Sequence, residues 1–307
     1  MNRYFLPVGL TLAFLIAWFI PRPGATLQAM DLIPWMVVII FLVNGYQTRL
    51  HQLPRSRGIL LTLAGAIVIN LFISPFLALA IVYFLAPPTG VAIGLLVMAT
   101  VPTTLSSGVV LSRIAGGDSV KALFFTIVLN LIGVFTVPFM LDLTLESAAI
   151  ISLSPWSLLR QLLWLVPIPF AIGMLLRPVL GVPTDHVLLR YLPSSCVIAT
   201  VWMSLSSSVD TLRDLNLALM LMIICSAVLI HGSLLLLCWL TKFVYRVERG
   251  EWLALLFTAS QKTLPVAIGV LTALGQSLGT AMVVCILFHF LQLFVDSLIA
   301  SRIAANS

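Results

Sequence analysis

Apolar residues fill this chain in long stretches, broken by short polar or proline-rich segments. A helix that spans a bilayer needs about 20 such residues. On that measure the pattern predicts ten crossings, at 4–20, 32–46, 58–85, 91–115, 120–141, 158–176, 187–205, 215–245, 251–274 and 280–303. Two of them are interrupted. Span four breaks at Val101-Pro102-Thr103-Thr104-Leu105-Ser106-Ser107-Gly108, and span nine at Gln261-Lys262-Thr263-Leu264-Pro265. Each half of span nine is too short to cross alone, so the two halves read as one crossing with a break in its middle. Pro265 lacks an N–H and disfavours helix at Leu264. Irregular backbone at membrane depth persists only where protein or a watery cavity satisfies its polar groups.

The two breaks carry most of the chemistry. Lys262 lies deep in an apolar segment, where a lysine costs about 2.5 to 3.5 kcal/mol on insertion scales, so it needs compensating partners. Hydroxyls of Ser107, Thr126 and Thr263, the amide of Gln261 and carbonyls freed at the breaks are the candidates. Span four supplies four hydroxyls within five residues, from Thr103, Thr104, Ser106 and Ser107. Hydroxyls and freed carbonyls suit a cation or an organic solute, and the N-terminus of a second half-helix suits an anion. Thr126 and Asn130 share one face of span five. Asn70 and Pro75 lie inside span three, and His289 and Gln292 sit one turn apart in span ten. Of the remaining polar positions, His231 reads as packing, Asp296 as pairing with Lys262 or, the favoured reading, facing water near the cytoplasmic end of span ten, and Ser204, Ser206, Ser207 and Ser208 as a solvated helix end. Gly45 and Gly173 read as sites of close helix approach.

The chain repeats itself at a spacing of about 160 residues. Tyr4-Phe5-Leu6-Pro7 and a closing Arg22-Pro23 return as Trp164-Leu165-Val166-Pro167 and Arg177-Pro178. Thr104-Leu105 in the first break returns as Thr263-Leu264 in the second. Residues 1–150 and 151–307 therefore read as two five-helix repeats within a single transmembrane unit. Five is odd, so the repeats are inverted, and inverted repeats with matched broken helices point to secondary transport.

Composition narrows the class further. Of 307 residues, 61% are apolar and 8% charged, whereas a soluble domain carries about 25% charged residues. The net charge of +6 is scattered over short loops and forms no nucleic-acid surface. Cys196, Cys225, Cys238 and Cys285 lie in apolar runs without metal or disulfide spacing, so no metal and no cofactor are expected. Arg3 precedes span one, but no small-residue cleavage site follows it, and a retained first span is expected. On one set of alternate loops and ends lie Arg3, Arg49, Arg55, Arg57, Arg113, Lys121, Arg177, Arg190, Lys242, Arg246, Arg249 and Arg302. Only Arg22, Arg160 and Arg213 lie on the other. The positive-inside rule then places both termini in the cytoplasm, with the inner membrane of a bacterium as the expected location.

The stretches VPTTLSSGVVLSRIAGGDSVKALFFTIVLNLIGVFTVPFML and SQKTLPVAIGVL resemble the bile acid:sodium symporter family, and most closely its SBF-like branch. The resemblance covers nearly the whole chain. It implies an all-α polytopic fold of ten transmembrane helices in two inverted five-helix repeats. Spans 1, 2, 6 and 7 would form a panel domain and the remainder a core, where discontinuous spans four and nine cross. It implies alternating-access transport of small organic anions, with sodium as the coupled ion. Carried over by position, the family's ion-site side chains fall on Asn70, Ser107, Thr126 and Gln261. Gly108 stands where the symporters have Asn, Phe257 or Thr258 where they have an acid, and Lys262 where they have a second amide. Two ligands are therefore replaced and a cation is added. A fixed ammonium supplies the charge of a bound sodium, so the residues themselves argue against sodium coupling. The expected substrate or ion site comprises Asn70, Thr103, Thr104, Ser106, Ser107, Thr126, Asn130, Gln261, Lys262, Thr263, His289 and Gln292.

Two other classes compete. An intramembrane hydrolase would need paired Asp residues, a His-Glu-x-x-His run, or a Ser with His231 or His289, and the first two are missing. A non-transporting regulator of ion homeostasis would not need matched breaks. Within related transporters, arsenite carriers use a Cys at the span-four break and proton antiporters use acids at the crossing. The sequence near both breaks provides neither.

Overall fold

The computed structural model describes residues 5–48, 57–150, 153–183, 186–245, 247–274 and 279–306. In chain order the helices are α1 (Phe5–Phe19), α2 (Pro21–Ala29), α3 (Leu32–Gln47) and α4 (Arg57–Ile67), which continues through a π-helical segment (Val68–Ile73) into α5 (Ser74–Leu85). Next come α6 (Thr89–Thr100), α7 (Ser107–Ile114), α8 (Ser119–Ser147), α9 (Pro155–Leu165) and α10 (Pro167–Leu180). The chain ends with α11 (Val187–Arg213), α12 (Leu217–Tyr245), α13 (Arg249–Ala259), α14 (Leu264–Ala273) and α15 (Gly279–Ala305). Among the described residues there is no strand. The basic residues Arg3, Arg49, Arg55 and Arg246, and the side chains of Arg57 and Pro7, lie outside what is described.

Among the described residues, seven helical stretches are long and apolar enough to cross a membrane, or eight when α1 and α2 count as one span. The α1–α2 pair bends by 98°. Arg22 and Pro23, expected to close span one, instead lie in a helix that restarts with Pro21 at its first turn, a position proline tolerates because it has no N–H to leave unpaired. Helices α3 and α6 are apolar but shorter. The two interruptions expected from the sequence are present: α6 stops at Thr100 and α7 begins at Ser107, while α13 stops at Ala259 and α14 begins at Leu264.

The chain divides into two compact units. The first comprises Met1–Arg49, Trp156–Asn216 and Pro265–Val283. It gathers spans 1, 2, 6 and 7 and adds 265–283. Its helices α3 and α10 approach backbone to backbone. A Cβ on Gly45 would lie 2.0 Å from the Phe170 carbonyl oxygen, and one on Gly173 1.9 Å from that of Leu42. Both glycines are therefore close-packing sites, the device by which apolar helices associate in lipid. Ser204, Ser206 and Ser208 are buried, against the expectation of a solvated end, and Gly24 makes room for Ser206.

The second unit comprises Leu50–Pro155, Leu217–Leu264 and Val284–Ser307. Its centre is α13, on which every residue from Glu251 to Ala259 is buried. Helices α4, α7, α8 and α12 pack around it. One end is tied by polar contacts. Asp118 caps α8 by accepting from Val120 N and Lys121 N, and its own N–H donates to the Gly250 carbonyl at 2.9 Å. Lys121 Nζ donates to Glu251 Oε2 at 2.8 Å, and Thr62 donates to Glu251 Oε1. Gly116, with φ +81°, supplies the left-handed residue that ends α7, as a glycine without Cβ does readily. Within this unit the two breaks meet.

Candidate functional site: two helix breaks closed on a buried lysine

The breaks are joined first by their backbones. Thr263 N–H donates to the Pro102 carbonyl at 2.9 Å. Gly108 lets α7 lie against α13, because a Cβ there would stand 2.9 Å from the Phe257 carbonyl oxygen. Gly133 on α8 leaves the space that Pro102 fills, with Pro102 Cβ 2.7 Å from where a Cβ would be. The sequence thus places small residues where broken backbone must come close.

Lys262 is fully buried. Its Nζ donates to two backbone carbonyls, that of Asn70 and that of Val101 at 3.1 Å. Both carbonyls are free for identifiable reasons. In the π-helical segment the Ser74 N–H reaches back to the Ile69 carbonyl, a five-residue step. The next donor in that register would be residue 75 for the Asn70 carbonyl, but residue 75 is proline and has no N–H. Val101 lies just past the end of α6 in an extended conformation, where helix carbonyls lack intrahelical partners and partial negative charge gathers. The hydroxyls and side-chain amide expected to compensate Lys262 do not do so. Carbonyls do.

The peptide of Lys262 is clamped as firmly as its side chain. Its N–H donates to Gln292 Oε1 at 3.0 Å and its carbonyl accepts from Gln292 Nε2 at 2.6 Å. Gln292 thereby acts as a substitute peptide group for backbone that the break leaves unpaired. Gln292 Nε2 also lies 2.8 Å from His289 Nδ1, and that nitrogen stands 3.3 Å from the Lys262 carbonyl as well, so His289 packs against the same peptide. Asn70 Nδ2 donates to the carbonyls of Ala259 and Gln261 at 2.8 and 3.0 Å, serving the end of α13 in the same way.

The side chain of Gln261 joins the breaks a second time. Thr104 donates to Gln261 Oε1 at 2.7 Å, and Ser107 Oγ reaches the same oxygen at 2.7 Å and Thr104 Oγ1 at 2.6 Å. Gln261 Nε2 donates to Asp296 Oδ2 at 2.7 Å. The Gln261 oxygen accepts from Thr104, and the single hydrogen of the Ser107 hydroxyl serves either that oxygen or Thr104 Oγ1. Asp296 is fully buried and its other oxygen lies 2.8 Å from His231 Nε2. This corrects three readings. Asp296 does not face water, His231 is not merely packing, and an acid does reach the crossing, delivered from α15 rather than from either broken helix.

Of the expected site residues, Asn70, Thr103, Thr104, Ser107, Thr126, Asn130, Gln261, Lys262, Thr263, His289 and Gln292 lie on the elements gathered around the breaks. Ser106 is exposed and takes no part in this network. Asn130 Nδ2 donates to the Thr103 and Thr126 carbonyls at 3.0 and 2.9 Å, which holds the first break against α8. Four buried side-chain oxygens, Asn70 Oδ1, Thr103 Oγ1, Thr126 Oγ1 and Asn130 Oδ1, have no hydrogen-bond partner. Buried polar atoms are rarely left so. All four are neutral oxygens; Asn70 and Thr103 stand on the segments whose carbonyls hold the Lys262 ammonium, and Thr126 and Asn130 stand on α8. Three contributors escaped the sequence: Asp296, His231 and Pro75. The available signals were a single deep acid and a proline five residues after a buried asparagine.

The profile of the SBF-like CPA transporter family matches residues 4–305. The chain belongs to that family. It is similar to a probable sodium/metabolite cotransporter, BASS4, of chloroplasts in Arabidopsis thaliana, at 28% identity over 97% of this chain and 72% of the relative. The rice protein of the same name (Oryza sativa subsp. japonica) is 29% identical over 97% of this chain and 74% of its own length. Sodium/bile acid cotransporter 7 of Mus musculus is 25% identical over 87% of this chain and 81% of the relative. As a member of a transporter family with apolar spanning helices, the chain is an integral membrane transporter and not an enzyme. The family so named agrees with the resemblance drawn from the two break motifs.

Proposed function

We propose that this chain is a secondary active transporter of a small organic anion that works by alternating access and does not require sodium. The observation that carries the reading is Lys262, whose ammonium bridges the carbonyls of Asn70 and Val101 where the two helix breaks meet. A cation in that position neutralises the carbonyl ends of interrupted helices. In the relatives named as sodium cotransporters a sodium ion is available for such a role; here it is tethered to the chain. With Gln261 Oε1 already accepting from Thr104 and the unpaired oxygens all neutral, a second cation beside Lys262 would meet repulsion, and the one acid at the crossing, Asp296, is already shared between Gln261 and His231.

The anion reading is supported by the mouse relative's name and by the start of α7, whose first N–H groups carry the partial positive charge of a helix N-terminus. Asn70, Thr103, Thr126 and Asn130 supply hydrogen-bonding oxygens for the polar part of the solute. The ten-span layout draws support from the span count: eight spans by length and composition, plus α3 and plus α6 continued across its break into α7. Two inverted repeats, 1–150 and 151–307, follow from matched breaks and an odd number of spans in each. The charge bias over the loops favours cytoplasmic termini in a bacterial inner membrane.

The first test is ligand-induced thermal stabilisation of the purified chain against a panel of organic anions, with and without sodium. Stabilisation by an anion in sodium-free buffer is the expected result. Stabilisation that appears only when sodium is added would overturn the sodium-independent reading.

A further inference from the structure

We infer that His231 is a proton-binding site wired to the helix crossing through Asp296 and Gln261, and that its protonation state is the ionic input to the transport cycle. His231 lies on α12 and is buried, as is Asp296 on α15. The ring Nε2 meets Asp296 Oδ1 at 2.8 Å. A carboxylate accepts there, so Nε2 carries the hydrogen and Nδ1 holds a lone pair. Nδ1 is buried and has no partner, which leaves one basic nitrogen ready to take a proton. Protonation at Nδ1 forms an imidazolium whose charge is met by the carboxylate already in contact, the arrangement that makes histidine a useful switch.

The same carboxylate holds the crossing. Asp296 Oδ2 accepts from Gln261 Nε2 at 2.7 Å, and Gln261 Oε1 accepts from Thr104 at 2.7 Å. One carboxylate is thus shared between His231 and the amide that ties the two breaks together. A proton on His231 draws carboxylate charge toward the ring and weakens the hold on Gln261. Its loss returns that hold. One N–H bond forms at Nδ1 and the same bond breaks when the proton leaves, the exchange with water taking place in a state of the cycle that opens this core; no other bond is made or broken.

The ionisable groups around the pair are few. Cys238 on α12 lies within electrostatic range of both Asp296 and Lys262. His289 is on α15 itself, its Nδ1 between Gln292 Nε2 and the Lys262 carbonyl. Glu251 on α13 is taken by Lys121 and Thr62. Among the described residues, α5, α6 and the π-helical segment bring only neutral side chains to this core, and of α4 Arg57 alone is charged. A proton on His231 changes the buried net charge by a whole unit. An ion that moves through the cycle is then available even though Lys262 is fixed.

The inference goes beyond anion transport and is tested apart from it, on the full chain in liposomes. Ring-15N histidine labelling and solid-state NMR follow the imidazole charge as pH is lowered, with His231→Gln identifying the signal. Cysteine labelling of Ser106→Cys, in a Cys225→Ser background, follows the opening of the break with a membrane-impermeant maleimide. The expected result is a His231 signal that passes from neutral to imidazolium. The labelling rate, taken relative to that of free cysteine at the same pH because the thiolate is the reacting form, should change by about threefold or more over the same pH interval, as a modest population shift gives. That change should vanish in His231→Gln and in Asp296→Asn. A His231 ring that stays neutral throughout overturns the proposal, and so does a ring that titrates while labelling is unaffected. His231→Gln keeps a donor toward Asp296, so a folding defect of Asp296→Asn leaves the test intact. Failure of every anion to bind would sink the transport reading without altering either signal.

Discussion

At the scale of single residues, Lys262 ties the site together because it fills two carbonyls that nothing else reaches. Lys262→Met keeps the aliphatic length and leaves both acceptors buried and unpaired, at about 1 to 3 kcal/mol each. A lowered Tm, together with a loss of uptake on the order of tenfold or more, is expected, read by thermal denaturation and by anion uptake in proteoliposomes. Unchanged stability would mean that the ammonium is not engaged as described. Gln292→Leu removes the substitute peptide that pairs Lys262 N and O. It should cost about 2 to 4 kcal/mol, more than Gln292→Glu, which retains one acceptor. Gly108→Asn would restore the residue of the sodium symporters, but a Cβ at 2.9 Å from the Phe257 carbonyl oxygen requires α7 to move off α13. A destabilised protein, not a gain of sodium binding, is the expected outcome. Lys262→Asn leaves Gly108 in place and is the better route to partial sodium dependence. The sequence made Lys262 conspicuous because lysine is costly at that depth. It pointed to carbonyls freed at the breaks, of which Val101 supplies one, but not to that of Asn70, because backbone carbonyls belong to every residue and only the fold frees particular ones. Asp296 was misread for a related reason: an acid two-thirds of the way along an apolar run looks like a helix end until His231 and Gln261 are seen to share it.

At the scale of elements, the breaks were legible and the device that serves them was not. Pro102, Pro265 and the hydroxyl-rich runs signal interrupted helices by elementary backbone chemistry. The π-helical segment at Val68–Ile73 has no such signature, since apolar Val-Ile-Asn-Leu-Phe-Ile suits an α-helix equally well. Its consequence appears only when Pro75 is counted five residues after Asn70. Pro75→Ala restores an N–H that competes with Lys262 for the Asn70 carbonyl. Uptake should fall by about tenfold while thermal stability is kept or raised, because a helix hydrogen bond is gained in place of a proline. If uptake and stability both stay at their original values, the π-helical segment is not what prepares the lysine site.

At the scale of the whole molecule, the pattern of apolar runs was enough to predict an all-helical membrane protein. The bend between α1 and α2 and the short apolar α3 and α6 are where length alone gives fewer spans than ten. Charge bias favours cytoplasmic termini. Ala149→Cys, after α8, should therefore react with an impermeant reagent from outside intact cells, and Ser307→Cys only after permeabilisation. Reaction of both from the same side would contradict the ten-span topology. The central claim is that the cation at the crossing belongs to the protein. The measurement that reaches it most directly is uptake into sodium-free proteoliposomes of the anion that best stabilises the chain, compared with uptake under an inward sodium gradient. The account predicts equal uptake in the two conditions and its collapse in Lys262→Met. Uptake that depends on the sodium gradient, and persists in Lys262→Met, would contradict it.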